Sequence, residues 1–163
     1  TARLPNENWC PRRVILDGKL SSIPEIGSLP KVYSDKFCKN TVVVSDQACS
    51  DTDLRRARLI DAGVTVRELP LDSNDGFSYQ KLREILADEN LTGVYFEGGA
   101  KVAHQMLREK AVDYLFWYQS PKTFPNADAV EVPPFAEFPL PSKVQSTKLG
   151  EDSLVRGPLD FSN

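Results

Sequence analysis

Apolar and polar positions along this chain switch repeatedly between two periods, and the switches mark out its elements. Arg13-Val14-Ile15-Leu16-Asp17-Gly18 is a short apolar run closed by a turn pair, the signature of a buried strand. Residues 19–40 carry prolines and mixed charge without a period and predict an irregular connection. Thr41-Val42-Val43-Val44-Ser45 is β-branched almost throughout and predicts a second strand, buried on both faces. Leu54, Ala57, Leu59 and Ile60 then follow helical spacing, with Ser50 or Asp51 as cap and Ala62-Gly63 as the stop. Val64–Leu69 predicts a strand, and Ser78 opens a helix with Leu82, Ile85 and Leu86 on one face. A strand is predicted over Gly93–Phe96, a helix over Ala100–Arg108 and an aromatic-rich strand over Asp113–Tyr118. Residues 121–141 are proline-rich. Val144–Lys148 and Ser153–Arg156, joined through Gly150-Glu151-Asp152, then read as an antiparallel hairpin.

Strands alternating with helices imply right-handed βαβ crossovers. The expected class is therefore α/β: a three-layer, mostly parallel sheet with an antiparallel hairpin at its end. The 163 residues suit one domain, residues 1–163, with its own core.

Composition narrows the function classes. A net charge of −3 with no basic stripe gives no reason to expect nucleic acid as a partner. No apolar run reaches the roughly 18 residues that span a bilayer, so no membrane partner is expected. Cys10, Cys38 and Cys49 form neither an even set nor a C-x-x-C pair, which fits a reducing cytoplasm better than a disulfide framework or zinc site. The opening at Thr1, without methionine, reads as a piece of a longer polypeptide.

The sharpest chemical signal is Glu97-Gly98-Gly99-Ala100-Lys101, between a strand pattern and a helix pattern. Glycines at a helix N-terminus let main-chain N–H groups approach an anion, and the helix dipole adds partial positive charge. Two readings stand: a phosphate cradle, or a tight strand-to-helix turn. Asp17-Gly18 and Ser45-Asp46 end two other strands, and three polar strand ends suit a ligand cleft or an ordinary α/β sheet. His104, the only histidine, lies in helical sequence with no nucleophile nearby and reads as a surface or partly buried residue. Trp117 and Tyr118 read as sheet packing, the charged cluster of residues 51–58 as a solvated helix face, and Cys49 as a buried thiol.

The segments RVILDG (13–18), TVVVSD (41–46), GVTVRELPLD (63–72), GFSYQKLREIL (76–86), GVYFEGGAKVAHQML (93–107) and VDYLFWYQSPK (112–122) come in an order that resembles one family. It is the reductase domain of riboflavin biosynthesis, which has the dihydrofolate-reductase-like fold and is often fused to a deaminase domain. KLGEDSLVRG (148–157) resembles its last hairpin.

The resemblance implies NADPH-dependent reduction of the ribosylamino side chain of 5-amino-6-(5-phosphoribosylamino)uracil to the ribitylamino form. It assigns Gly18, Gly98, Gly99, Ala100, Lys101, Val102 and Ala103 to the cofactor, and Arg3 and Glu97 to the substrate. It names no protein catalytic group and no metal, since hydride chemistry resides in the cofactor. It also implies a cytoplasmic homodimer, a phosphorylated pyrimidine substrate and a possible fused deaminase. In the family a strand, a helix and a second strand precede the point matching Thr1, so an exposed apolar sheet edge is expected here. Alternatives are a non-catalytic scaffold or fragment of this fold, and a pterin-type reductase of the same fold.

Overall fold

The computed structural model describes residues 9–48, 53–73, 76–123 and 143–161. The chain divides into two compact units, Thr1–Thr92 and Gly93–Asn163.

In the first unit the elements run β1 (Arg13–Leu16), α1 (Lys31–Ser34), a single 3-10 turn (Cys38–Asn40), β2 (Thr41–Asp46), α2 (Asp53–Asp61), β3 (Thr65–Leu69) and α3 (Tyr79–Asp88). β1, β2 and β3 form a parallel sheet in that order. Residues 41–45 of the central strand are all buried, as the unbroken β-branched run predicts for a strand covered on both faces. Register places Ile15 beside Val43 and Val43 beside Val66. These three share one face and pack with Leu20, Ile23, Tyr33, Leu59 and Val64. Each fully buried apolar side chain of this size contributes about 1.5–3 kcal/mol relative to exposure. The face of α3 that is buried is Leu82, Ile85 and Leu86, as its spacing predicts.

The start of the unit is pinned by charge. The Arg13 guanidinium donates to both Asp35 carboxylate oxygens at 2.7 and 2.9 Å, to Thr41 Oγ1 at 2.9 Å and to the Phe37 carbonyl at 2.8 Å. Arg12 and Arg67 both donate to the Glu89 carboxylate just beyond α3, Arg67 from its Nη2 at 2.7 Å. Hydrogen bonds from Arg13 hold Asp35 below the usual carboxylate range. Burial works against the Glu89 charge, but the bonds from Arg67 and Arg12 outweigh it and keep that carboxyl low as well.

The second unit contains α4 (Ala100–Arg108), β4 (Tyr114–Gln119), β5 (Gln145–Leu149) and β6 (Asp152–Pro158). Its sheet is antiparallel in the order β4-β6-β5. The β5–β6 hairpin forms where the sequence places it, with Gly150 at φ +69° opening a two-residue turn between paired Leu149 and Asp152. All three longer helices end alike. A residue with positive φ (Gly63, Asn90 or Lys110) follows each, and the next N–H bonds a carbonyl five residues back, as in Val64 to Leu59, Leu91 to Leu86 and Ala111 to Met106.

Two expectations change. Gly93–Phe96 is not a strand, because a strand exists only as part of a ladder and these residues have no ladder partner among the described residues. Residues 19–40, expected to be irregular, hold α1 and the 3-10 turn. The aromatic strand β4 has one half-buried and one exposed face. Leu115 and Trp117 are half-buried while Tyr114, Phe116 and Tyr118 alternate outward and are exposed. β4 is paired only with β6 among the described residues. Among the described residues, no helix is long and apolar enough to cross a membrane.

Candidate functional site

Residues 97–103 form a single passage from extended chain into α4. Glu97 is exposed, and Gly98 and Gly99 adopt φ of +99° and +71°, which side-chain-bearing residues rarely accept. A Cβ built on either glycine meets nothing within 4 Å. Gly99 is the N-cap and offers no side chain to the helix amides. The first main-chain bond recorded at this end runs from Ala103 N–H to the Gly99 carbonyl at 3.0 Å. The amides of the first turn therefore lie outside the helical ladder and point out of its positive end. Lys101 is exposed in that turn, while Val102 and Ala103 are half-buried. These residues fit an anionic group: open space at both glycines, main-chain donors and a cation side by side.

On the apolar side of the same unit, Met106 anchors α4 and Gln105 bonds Glu109 at 2.8 Å. His104 is half-buried, as its place in the sequence suggested. The Tyr95 and Phe116 rings meet at 5.7 Å between centroids. Burial, and then the Tyr118 hydroxyl, raise the Tyr95 pKa.

The polar strand ends of the first unit have a different character. The Asp17 carboxylate accepts Ser21 N–H at 2.9 Å, Ser21 Oγ at 3.2 Å and Ser22 N–H at 2.8 Å. Burial raises its pKa, but the bonds from Ser22 and Ser21 outweigh that and leave it below the ordinary value. Asp46 Oδ1 likewise accepts Ala48 N–H at 3.2 Å and Leu71 N–H at 3.3 Å. Both carboxylates accept from the chain's own amides, whereas Glu97, which ends no strand in the structure, is exposed. The Ser45 hydroxyl is buried without a hydrogen-bond partner among the described residues.

Gly18 follows Asp17, and its glycine identity has a packing cause. A Cβ there would stand 3.0 Å from Leu71 Cδ1 and 3.3 Å from Cδ2. Its carbonyl accepts Asp46 N–H at 2.9 Å. Glu97 through Ala103 are thus brought together in the second unit, and Gly18 belongs to the first. Arg3 lies outside the described residues, as do Cys49 and the Ser50 or Asp51 cap. Among the described residues no group of three or more His, Cys, Asp or Glu is placed to hold a metal.

Sequence reasoning missed how the 17–27 loop is secured. The arginines of α2, read as a solvated face, reach across to it: Arg55 to Glu25 at 3.0 Å, and Arg58 to the carbonyls of Pro24 and Gly27. Arg56 pairs with Glu68 at 2.8 Å. The clustering of three arginines on one short helix facing a long irregular segment was the available signal.

Comparison with known proteins points one way. The family model described as the RibD C-terminal domain matches residues 1–155. The riboflavin biosynthesis protein RibD of Bacillus amyloliquefaciens is 31% identical over 122 residues, covering 74% of this chain and 30% of that protein. The chain therefore spans less than a third of that relative's length. Among solved structures, the riboflavin biosynthesis reductase Rib7 of Saccharomyces cerevisiae matches with a TM-score of 0.65 at 25% identity, over 92% of this chain and 70% of that one. A pyrimidine reductase-like protein of Corynebacterium diphtheriae matches with a TM-score of 0.64 at 18% identity, over 91% and 61%, a likeness of fold. The fold is of the dihydrofolate-reductase-like α/β class.

Proposed function

The chain belongs to the RibD C-terminal domain family, and from that premise we propose that it is an NADPH-dependent oxidoreductase of riboflavin biosynthesis. Its substrate in this reading is 5-amino-6-(5-phosphoribosylamino)uracil, and the whole span acts as one reductase domain. When bound, the cofactor would supply a hydride to C1′ of the ring-opened imine substrate, and a proton from solvent on the nitrogen would complete the ribitylamino product. The observation that carries the proposal is the open glycine pair at the entrance to α4, where main-chain amides face outward from the positive helix end.

In this reading Gly98, Gly99, Ala100, Lys101, Val102 and Ala103 hold the cofactor pyrophosphate. Glu97, exposed just before the glycine pair, contacts the substrate. Gly18 is a separate cofactor contact, and Arg3 meets the substrate phosphate. No protein acid or base is needed at the reacting carbon, so positioning and exclusion of water are the chain's contribution. The proposed partners are this phosphorylated pyrimidine, a second copy of the chain and a deaminase domain in the same polypeptide.

The test is an NADPH titration followed by nicotinamide fluorescence, on the parent chain and on Gly99→Val. Valine at φ +71° is strained and fills the space the anion would occupy. Saturable binding lost by at least about a hundred-fold in the variant is expected, since several charge-assisted bonds are removed together. NADPH consumption dependent on the pyrimidine 5′-phosphate, and not on a dihydropterin, completes it. Equal binding by parent and variant, or turnover of the pterin alone, overturns the proposal.

A further inference from the structure

Within the second unit three rings lie in a row beside a polar group. Tyr114 and Phe116 share the exposed face of β4, their ring centroids 4.9 Å apart, and the Tyr95 ring meets Phe116 at 5.7 Å. Tyr118 continues that face two residues further on, opposite the buried Leu154 of β6. Phe116 supports the Tyr95 ring, and the Tyr95 and Tyr118 hydroxyls hydrogen-bond to each other. Both tyrosines are 60% exposed, so the hydroxyl pair stands on an apolar support and is open to a ligand. Glu97, two residues beyond Tyr95 and also exposed, is close enough for its charge to act on the Tyr95 phenol.

The polarity of this cluster follows from counting protons. Two phenols carry two O–H groups, and the bond between them uses one. Burial, the Tyr118 phenol and the Glu97 charge all raise the Tyr95 pKa, which makes Tyr95 the donor of that bond and keeps its proton in place. The Tyr118 oxygen receives it, and the Tyr118 O–H is the one that projects. An ionised Glu97 can only accept. A donor and an acceptor therefore stand in one cluster. Together they complement a ring carbonyl next to a ring N–H, the edge of a pyrimidinedione. They do not suit an edge whose carbonyl is replaced by an amino group, because both ring groups then donate.

We propose that Tyr118 is a specificity-determining residue, donating its hydroxyl proton to a ring carbonyl of the pyrimidinedione while Glu97 takes the neighbouring ring N–H, and that Tyr95 is the positioning residue that aims Tyr118. The inference rests on the reading of Glu97 as a substrate contact and names what stands beside it. Glu97 alone accepts from a ring N–H, a ring amine or a ribose hydroxyl alike, so a donor beside it is what tells these apart. Tyr95 acts through the phenol pair and touches no substrate. Tyr114, at the other end of the row, is the matched control.

The test is steady-state kinetics of the full chain with NADPH. Its substrates are 5-amino-6-(5-phosphoribosylamino)uracil and two analogues, each carrying an amino group in place of one ring carbonyl. The parent should favour the dione over one analogue by at least about ten-fold in kcat/KM. Tyr118→Phe and Tyr95→Phe should each raise KM for the dione about ten-fold with kcat little changed, and leave that analogue where it was, so that the preference collapses. Tyr114→Phe should behave as the parent does. A merely structural role lowers kcat/KM for all three substrates together and overturns the inference. So does a parent without preference, or a preference that survives Tyr118→Phe. Each of these leaves the proposed function standing while the dione is reduced. A parent that reduces none of the three overturns both. Should Tyr95→Phe fail to fold, Tyr118→Phe, which keeps its ring on the exposed face, decides alone.

Discussion

Gly18 and the Gly98-Gly99 pair follow carboxylates near the ends of apolar segments, one in each unit, and they are glycine for opposite reasons. At Gly18 the space for a Cβ is taken by the Leu71 isobutyl group, and φ is unexceptional. At Gly98 and Gly99 the space is vacant and the backbone is left-handed. The neighbouring carboxylates differ in the same sense. Asp17 is absorbed by two serine amides and a hydroxyl, while Glu97 is exposed. The lesson is that a glycine after a strand is not itself a ligand signal. What would occupy its missing side chain separates a packing glycine from an open one.

The comparison can be broken at several levels. The largest effect on stability is expected in the first unit, where Arg13→Met leaves Asp35 without its bidentate partner and strips bonds from Thr41 and the Phe37 carbonyl. A loss of about 3 kcal/mol is expected by denaturant titration. Next is Gly18→Val, which overpacks against Leu71 and should cost about 2 kcal/mol. Leu71→Ala in the same chain should recover part of that loss, and a double-mutant cycle with coupling near zero would remove the packing explanation.

Gly98→Ala should cost less, about 1 kcal/mol, because only the left-handed backbone resists it. Since no neighbour crowds that position, no second-site truncation should rescue it, and a rescuing partner would erase the contrast between the two glycines.

The smallest effect is a pH dependence confined to one region. Asp17, Asp35 and Glu89 are held below their ordinary values in the folded chain and all lie in the first unit. A depressed carboxylate stabilises the fold above its unfolded pKa, and the contribution disappears as pH falls through the folded value. Amide exchange in the first unit should therefore accelerate below about pH 4, the ordinary carboxylate range. Exchange that accelerates first around α4 and β4 would contradict this.

Much of this was legible because the determinants were local. β2 was evident from its β-branched run over residues 41–44, α3 from its 82-85-86 spacing, and the last hairpin from the Gly150-Glu151-Asp152 turn. The start of α4 after Gly98-Gly99 was legible because glycines before a helical pattern leave few geometries open. The misreadings concern what partners decide. Val94, Tyr95 and Phe96 have strand propensity, but a ladder needs a neighbour that no local pattern supplies. The Asp17 tether was hidden because the bonds that consume a carboxylate run to amides, which every residue carries. The α2 arginines looked solvated because their acceptors are carbonyls 30 or so residues away.

Leu20 has a consequence for how this loop can change over generations. Its buried side chain and its left-handed backbone fix the count of residues between the end of β1 and the core. Lys19 is exposed and can be exchanged chemically at small cost. An insertion or deletion between Asp17 and Leu20 instead turns Leu20 out of its socket and unthreads the serine amides from the carboxylate in one event. The segment can therefore drift in composition while its length stays frozen, the reverse of what surface loops ordinarily tolerate.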